Sequence, residues 1–400
     1  MLRRLPLLLL LAAPALHAQT WSPAVASNND FAFRFFQQAE RGKSNFCISP
    51  YSIASAFAMT YAGAAGETQK EFQNVFGFGA NDDATHAAFG KLQAELLGRN
   101  SAAVEFAPAN RLFPDEKYAF RQSYLDGVQK HYGAALKKFD YSMKFEPARK
   151  EINKWVEEQT RTRIKDLLPE GSLNPQTRLV LVNTLYTKGA WQRPFPEENT
   201  QTALFTDDKG AKTNVRMMSQ EAVFAYTKDK QFQVIALPFQ GDSISMLFVL
   251  PENGLTLEGT RAALTKDWYE ETCASLRNTE IVCQVPKFKT ECALVLNKTL
   301  KKMGMQEAFA ENVADFSGMD DTRLLYISAA FHKTFVEVDE KGAEAAAATA
   351  VVIDMTTSSA ARIPSQVFRA DRPFFYILRD NITGTVLFIG EMKEPTPAVQ

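Results

Sequence analysis

The chain is poor in the residues from which most catalytic and metal centres are built. It has four histidines, His17, His86, His131 and His332, and four cysteines, Cys47, Cys273, Cys283 and Cys292. No Cys-x-x-Cys pair, H-E-x-x-H helix, G-x-S-x-G elbow or Walker loop appears, so no catalytic residue, metal site or cofactor is assigned. The stretch Gly63 to Lys70 lacks the Gly-Lys-Ser/Thr order that phosphate binding needs. Paired acids such as Glu157-Glu158 and Asp320-Asp321 lie among other charges and read as solvated. Charge of one sign is also missing: 45 basic residues stand against 46 acidic ones. That balance speaks against a nucleic-acid or polybasic membrane partner, and no concentrated Lys/Arg face suggests polyanion (heparin-type) activation. Nor does a Pro/Gly/Ser-rich linker, charge block or internal repeat divide the sequence. A single domain is expected, although length alone would allow two or three. A core of this size needs no staples, and the cysteines have neither metal-ligand spacing nor a repeated pattern, which favours free or buried thiols.

At the N-terminus, Arg3 and Arg4 precede the apolar run Leu7 to Ala13 and then small residues. This reads as a secretory signal ending after Ala18, and the run is too short to span a membrane. Without Arg3 and Arg4, 43 basic residues face 46 acids. Residues 19–400 then form the expected domain. Asn297-Lys298-Thr299 and Asn381-Ile382-Thr383 fit the glycosylation acceptor pattern.

The apolar spacing predicts a helix over Asn29 to Arg41 and a second from Pro50, where Ser49 stands as cap and Pro50 occupies the first turn. Helical spacing recurs from Glu151 to Leu168. Leu179 to Tyr186 is apolar on both faces, as in a strand buried mid-sheet. Phe232 to Phe239 and Ile244 to Pro251 flank a Gly241-Asp242 turn and predict a hairpin, and Phe368 to Leu378 and Thr385 to Gly390 supply two apolar strands joined near Asn381 to Gly384.

The most informative stretch is Glu337 to Phe368. Gly342 offers backbone freedom, so the chain can hinge there. Beyond it, one alternating set (Ala343, Ala345, Ala347, Thr349, Val351, Ile353, Met355) carries no charge, while Glu344 and Asp354 fall on the other. That suits a strand with one face for a core. Alanine is also the best helix former, so Glu340 to Ala350 reads equally as an exposed helix. The β-branched Val351-Val352-Ile353 and the small residues after Thr356 favour a latent strand running into a loop.

This segment resembles the hinge and reactive-centre loop of the serpins. The run from Asn45 to Ile53, the Lys188 to Phe195 segment, Val285 to Lys289, Asp315 to Met319, Ile327 to Val338 and the C-terminal hairpin are similar to serpin segments too, and Leu296 to Met303 with Gly304-Met305 resembles the family's late helix and its stop, so the likeness covers nearly the whole mature chain. It implies an α+β serpin fold: several helices in one domain, a large, mostly antiparallel central sheet with two further sheets, and an exposed reactive-centre loop at about 340–367. It also implies site roles. The hinge would be Glu340, Gly342, Ala343, Glu344, Ala345, Ala346, Ala347 and Ala348. The shutter, over which the sheet opens, would contain Ser49, Ser52, Asn183 and His332, with Ser49, Asn183 and His332 forming a polar network. Trp191 would mark the breach, where insertion begins. Without the resemblance, His332 and Trp191 read as satisfied core residues.

The implied activity is inhibition of serine proteases, and of some cysteine proteases, by an exported monomer that forms a covalent acyl complex. Counting from the hinge puts the scissile bond at Thr356-Thr357, beside Met355; counting back from Arg372-Pro373 favours the Ser359 to Arg362 region, where Arg362-Ile363 would attract trypsin-like proteases. A non-inhibitory serpin acting as carrier, chaperone or storage protein is the alternative within the family. A secreted hydrolase or a structural interaction module is the alternative outside it.

Overall fold

The computed structural model of the chain describes residues 22–42, 44–134, 136–343 and 366–398. The expected leader at 1–18, the expected hinge residues Glu344, Ala345, Ala346, Ala347 and Ala348, and the scissile-bond candidates Met355, Thr356, Thr357, Arg362 and Ile363 lie outside them.

Helix α1 (Pro23–Gln38) begins before the expected Asn29, because Ser22 accepts the N–H of Val25 and Pro23 fits the first turn. It also ends before Arg41, which leaves the helix to lie over the rings of Phe36 and Phe46 and to pair with the buried Glu391 at 2.8 Å. α2 (Pro50–Tyr61) is buried at all 12 positions, and its Ala, Ser and aromatic residues make it the helix around which the core packs. α3 (Gly66–Phe76), α4 (Asp83–Leu97) and α5 (Gln122–Tyr132) flank it. α6 runs Tyr141–Gln159 rather than from Glu151 to Leu168. It opens at Asp140, which caps Met143, and stops where Arg161 and Thr162 turn left-handed. Ile164 and Leu167 kept the helical rhythm because both are buried, but they are buried from a loop.

Among the described residues the strands form two sheets. One contains β1 (Phe46–Ile48), β4 (Gln201–Thr206), β5 (Lys212–Lys228), β6 (Phe232–Pro238), β7 (Ile244–Pro251), β8 (Arg277–Pro286), β12 (Gln366–Arg369), β13 (Phe374–Asp380) and β14 (Val386–Met392). The long β5 pairs with β4 near its start and with β8 and β6 further on, joining the two expected smaller sheets into one hydrogen-bonded path. Both expected hairpins are present, β6–β7 and β13–β14. The expected late helix spans Asn297–Lys302.

The other sheet has the order β2 (Val104–Pro114), β3 (Leu179–Ala190), β11 (Gly342–Ala343), β10 (Ala329–Val338) and β9 (Phe288–Val295). Its faces serve different cores. Leu179, Leu181 and Leu185 of β3 belong to the main core with α2. The alternate residues Val180 and Val182 join Phe331 and Phe335 of β10 in a second cluster beneath α6 and its following loop. Strands buried on both faces are apolar throughout, which is why β3 shows no alternation in the sequence.

Candidate functional site

The site is the seam between β3 and β10. β2–β3 and β9–β10 are antiparallel, but β3 and β10 run parallel, paired from Val180–Ala329 to Leu185–Thr334. Above Leu185 and Thr334 no further β3–β10 pair forms. There β10 ends at Val338, the chain turns, and β11 enters the gap antiparallel to both neighbours: Ala343 opposite Gly189 and Val338, Gly342 opposite Ala190.

The turn is held from several sides. Asp339 accepts the N–H groups of Lys341 and Gly342 on Oδ1, at 2.8 and 3.1 Å. The Trp191 indole N–H donates to the Asp339 carbonyl at 2.9 Å, and the Trp191 backbone N–H donates to Lys341. Trp191 is fully buried against Phe239, with ring centroids 4.8 Å apart. Glu340 pairs with Lys287 at 2.7 Å. Burial works against the Glu340 carboxylate, but the Lys287 ammonium and a backbone N–H outweigh it and leave its pKa below the usual value. Gly342 does not adopt a left-handed φ, contrary to the expectation that dihedral freedom explains it. Its requirement is space, since a Cβ there would lie 2.0 Å from the Gly189 carbonyl oxygen. Gly189 is pinned in turn by the Phe239 ring, 2.4 Å from where its own Cβ would sit.

Lower on the seam, His332 and Asn183 face each other in register. The backbone N–H of Ser49 donates to His332 Nε2 at 3.0 Å, so Nδ1 carries the proton and donates to Asn183 Oδ1 at 2.6 Å. Burial holds this imidazole neutral and lowers its pKa to about 3. The Ser49 hydroxyl, expected in this network, instead caps α2 by accepting the Ser52 N–H at 3.2 Å. The Ser52 hydroxyl reaches Asn110 of β2 at 2.8 Å, and the Thr334 hydroxyl donates to the Cys47 carbonyl at 2.9 Å. Both halves of the sheet are thereby tied to the same buried segment, Cys47 to Ser52.

Asn110, Thr334, Lys287, Asp339 and Gly189 were not assigned roles from the sequence. Apart from the local turn that Asp339 makes with Lys341 and Gly342, their partners are tens to hundreds of residues away, and no local spacing announces such contacts. The loop after α6 was missed for the same reason. Ile164 and Leu167 lie in one cluster with Val182 on one side of the seam and Phe331 and Phe335 on the other. The Lys333 ammonium of β10 donates to the Lys165 carbonyl at 2.7 Å. The loop therefore braces the seam from above. All four cysteines are free thiols. Both acceptor-pattern asparagines are engaged through Nδ2, Asn297 donating to the Ser328 carbonyl and Asn381 to the Asp242 carbonyl, so a glycan at either nitrogen competes with that bond. No helix among the described residues is long and apolar enough to cross a membrane.

The family model described as serpin (serine protease inhibitor) matches residues 26–395. The chain belongs to the serpins. Mouse antithrombin-III is 37% identical to it over 394 residues, covering 95% of this chain and 83% of that protein. Rat leukocyte elastase inhibitor A is 37% identical over 382 residues, covering 92% and 99%. Among solved structures, native tengpin, a thermophilic serpin, superposes with a TM-score of 0.84 at 26% identity, covering 92% of this serpin and 94% of tengpin. Human thyroxine-binding globulin superposes with a TM-score of 0.83 at 29% identity, covering 93% and 98%.

Proposed function

We propose that this serpin traps serine proteases, and some cysteine proteases, as a suicide substrate. The protease attacks the loop, forms an acyl-enzyme, and is carried off as the freed segment beyond Gly342 enters the seam. The observation that supports this best is that, among the described residues, β3–β10 is the one parallel pair in an otherwise antiparallel sheet, with β11 already wedged into its upper end antiparallel to both. A strand added there replaces each parallel pairing by two antiparallel ones, which are slightly more stable per residue. The shutter residues Ser49, Ser52, Asn183 and His332 then part. Trp191 at the breach and the hinge from Glu340 to Ala348 guide entry.

Our reading places a leader at 1–18, the inhibitor domain at 19–400 and the loop at about 340–367, with an exported monomer as the active form. The preferred scissile bond is Thr356-Thr357, which gives a long inserting segment and suits proteases that accept small residues; cleavage at Arg362-Ile363 would suit trypsin-like ones. Thyroxine-binding globulin shares the fold, so a carrier role is the second reading. The uncharged, proline-free run Ala345 to Ala350 favours trapping.

Mixing the protein with elastase, subtilisin or trypsin and separating the products in detergent tests both. A covalent complex with the loop cut after Thr356 is expected, read by mass spectrometry of the released fragment. Clean cleavage without complex would favour the carrier, and trapping of trypsin alone with a cut after Arg362 would move the bond.

A further inference from the structure

The sheet that contains β5 forks beside Trp191. β5 and β6 pair only as far as Ala225 and Ala236. Beyond that point β5 continues along β8, with Phe224 opposite Thr279, while β6 continues along β7, with Leu237 opposite Met246. The two strands part, and a cavity of about 320 Å³ lies in the fork, walled by residues 223–225 of β5, 236–238 of β6 and 191–193 after β3. Much of its wall is apolar: the buried Phe224, Ala236, Leu237 and Trp191, the last backed by Phe239. The walls are tied to their surroundings. The Gln192 N–H donates to the Pro238 carbonyl at 2.8 Å, and the Gln220 amide donates to the Arg193 carbonyl at 3.1 Å. A pocket held in this way exists before any ligand arrives.

The polar end is built on Arg379. The β13–β14 register shifts between Leu378 and Arg379, an irregularity of the kind that re-aims a side chain. Arg379 lines the cavity, and its Nε donates to the Ser245 hydroxyl at 3.3 Å; that hydroxyl in turn donates to Asn381 Oδ1 at 2.7 Å. Two other arginines drawn into the protein each meet a carboxylate, Arg41 that of Glu391 and Arg99 that of Asp380. Arg379 is half-buried too, yet among the described residues no carboxylate lies within ion-pair distance of it. Its neighbour Asp380 is taken by Arg99 and Thr383. Asp242, which also lines the cavity, is exposed. With Arg193 the lining carries two cations against that one anion. A cation drawn out of water calls for an anion beside it.

We propose that the fork is a binding site for a small aromatic monocarboxylate, its ring against Trp191 and Leu237 and its carboxylate on the Arg379 guanidinium. Flat walls such as Trp191 and Phe224 suit a ring, and the N–H fork of arginine takes a carboxylate in two parallel bonds. The site needs neither the reactive loop nor a protease, so it stands apart from trapping. The test is calorimetric titration of the folded full chain with 2-naphthoate near neutral pH, where the acid is ionised, alongside the uncharged 2-naphthamide. One equivalent of naphthoate should bind and raise the melting temperature; the amide should bind about tenfold or more weaker, as expected without a charge-assisted bond. Arg379→Gln should weaken naphthoate by a similar factor and leave the amide unchanged, a split that a merely structural arginine would not produce. Asn278→Trp, at the exposed rim, should block both ligands. If Arg379→Gln fails to fold, the wild-type ratio of acid to amide and the Asn278→Trp variant decide. No binding of naphthoate, equal affinity for acid and amide, unchanged affinity in folded Arg379→Gln, or full binding to Asn278→Trp would each overturn the proposal.

Discussion

His332 does two jobs with one protonation state. Its Nε2 accepts from Ser49 and its Nδ1–H donates to Asn183, so adding a proton destroys an acceptor deep in the seam. Burial lowers its pKa to about 3 and also lowers that of His86, between Tyr132 and Asn81, to about 4. Both lie below the ordinary 6.5 of the unfolded chain. As pH falls from 6.5 toward those values, the unfolded chain takes up protons the folded one refuses. Stability is thus full above pH 6.5 and declines below it, by up to about 1.4 kcal/mol per pH unit for each histidine. Urea denaturation between pH 7 and pH 4 should show this slope, and His332→Gln should flatten it; an unchanged slope would remove His332 from the proton balance. A second single-residue effect is steric. Gly342→Ala puts a Cβ 2.0 Å from the Gly189 oxygen and 2.9 Å from the Ala190 Cα, both backbone atoms that cannot swing aside. Overpacking of this kind costs about 1–3 kcal/mol. We expect β11 to leave the gap and Trp191, losing the Asp339 carbonyl, to shift its fluorescence to the red. Unaltered emission would mean that the turn holds without β11.

The loop after α6 shows what an element can hide from sequence reading. Ile164 and Leu167 continue the spacing of Ile152 and Val156, so the helix seemed to run to Leu168. Periodicity reports burial, and a loop pressed onto a sheet is buried too. By contrast β3, the two hairpins and the Ser49-Pro50 helix start were legible, because each depends on residues within about twenty positions of one another. The seam itself was legible only by resemblance. That β3 and β10 are parallel neighbours depends on a crossover of more than a hundred residues, and no spacing encodes it. The loop also carries strain. Arg161, Thr162 and Asp166 all have positive φ, at 52°, 63° and 48°. For the β-branched, exposed Thr162 this is a true outlier, costing roughly 1–2 kcal/mol. Thr162→Gly relieves it at some cost in chain entropy, for a net gain of up to about 1 kcal/mol. A higher melting temperature for Thr162→Gly is expected, and a lower one would show that the threonine side chain holds the turn in place.

At the scale of the whole molecule the question is whether the sheet, as it stands, is the lowest state available to the chain. The parallel contact between β3 and β10 involves six residue pairs and the His332–Asn183 bond, all of which insertion would break. It would also part Val182 from Phe331 and Phe335 and lift the loop that bridges them. These losses form the barrier. Against them, under the proposed mechanism a strand running from Gly342 toward Thr356 would pair on both edges and bury Val351 and Ile353, at about 1.5–3 kcal/mol each. A surplus of about ten ladder hydrogen bonds at about 1 kcal/mol apiece exceeds what is broken. Under the trapping mechanism proposed above, the uncut loop keeps the sheet behind that barrier and short of the deeper minimum, and cutting the loop releases it. Cleavage between Ala350 and Arg362 should therefore raise the melting temperature, on the order of 20 °C. It should also abolish the direct β3–β10 pairing, so that amide exchange at Phe331 to Thr334 slows. A nicked protein that melts where the intact one does would show that the parallel pair is simply how this sheet is built, and trapping would have no source of work.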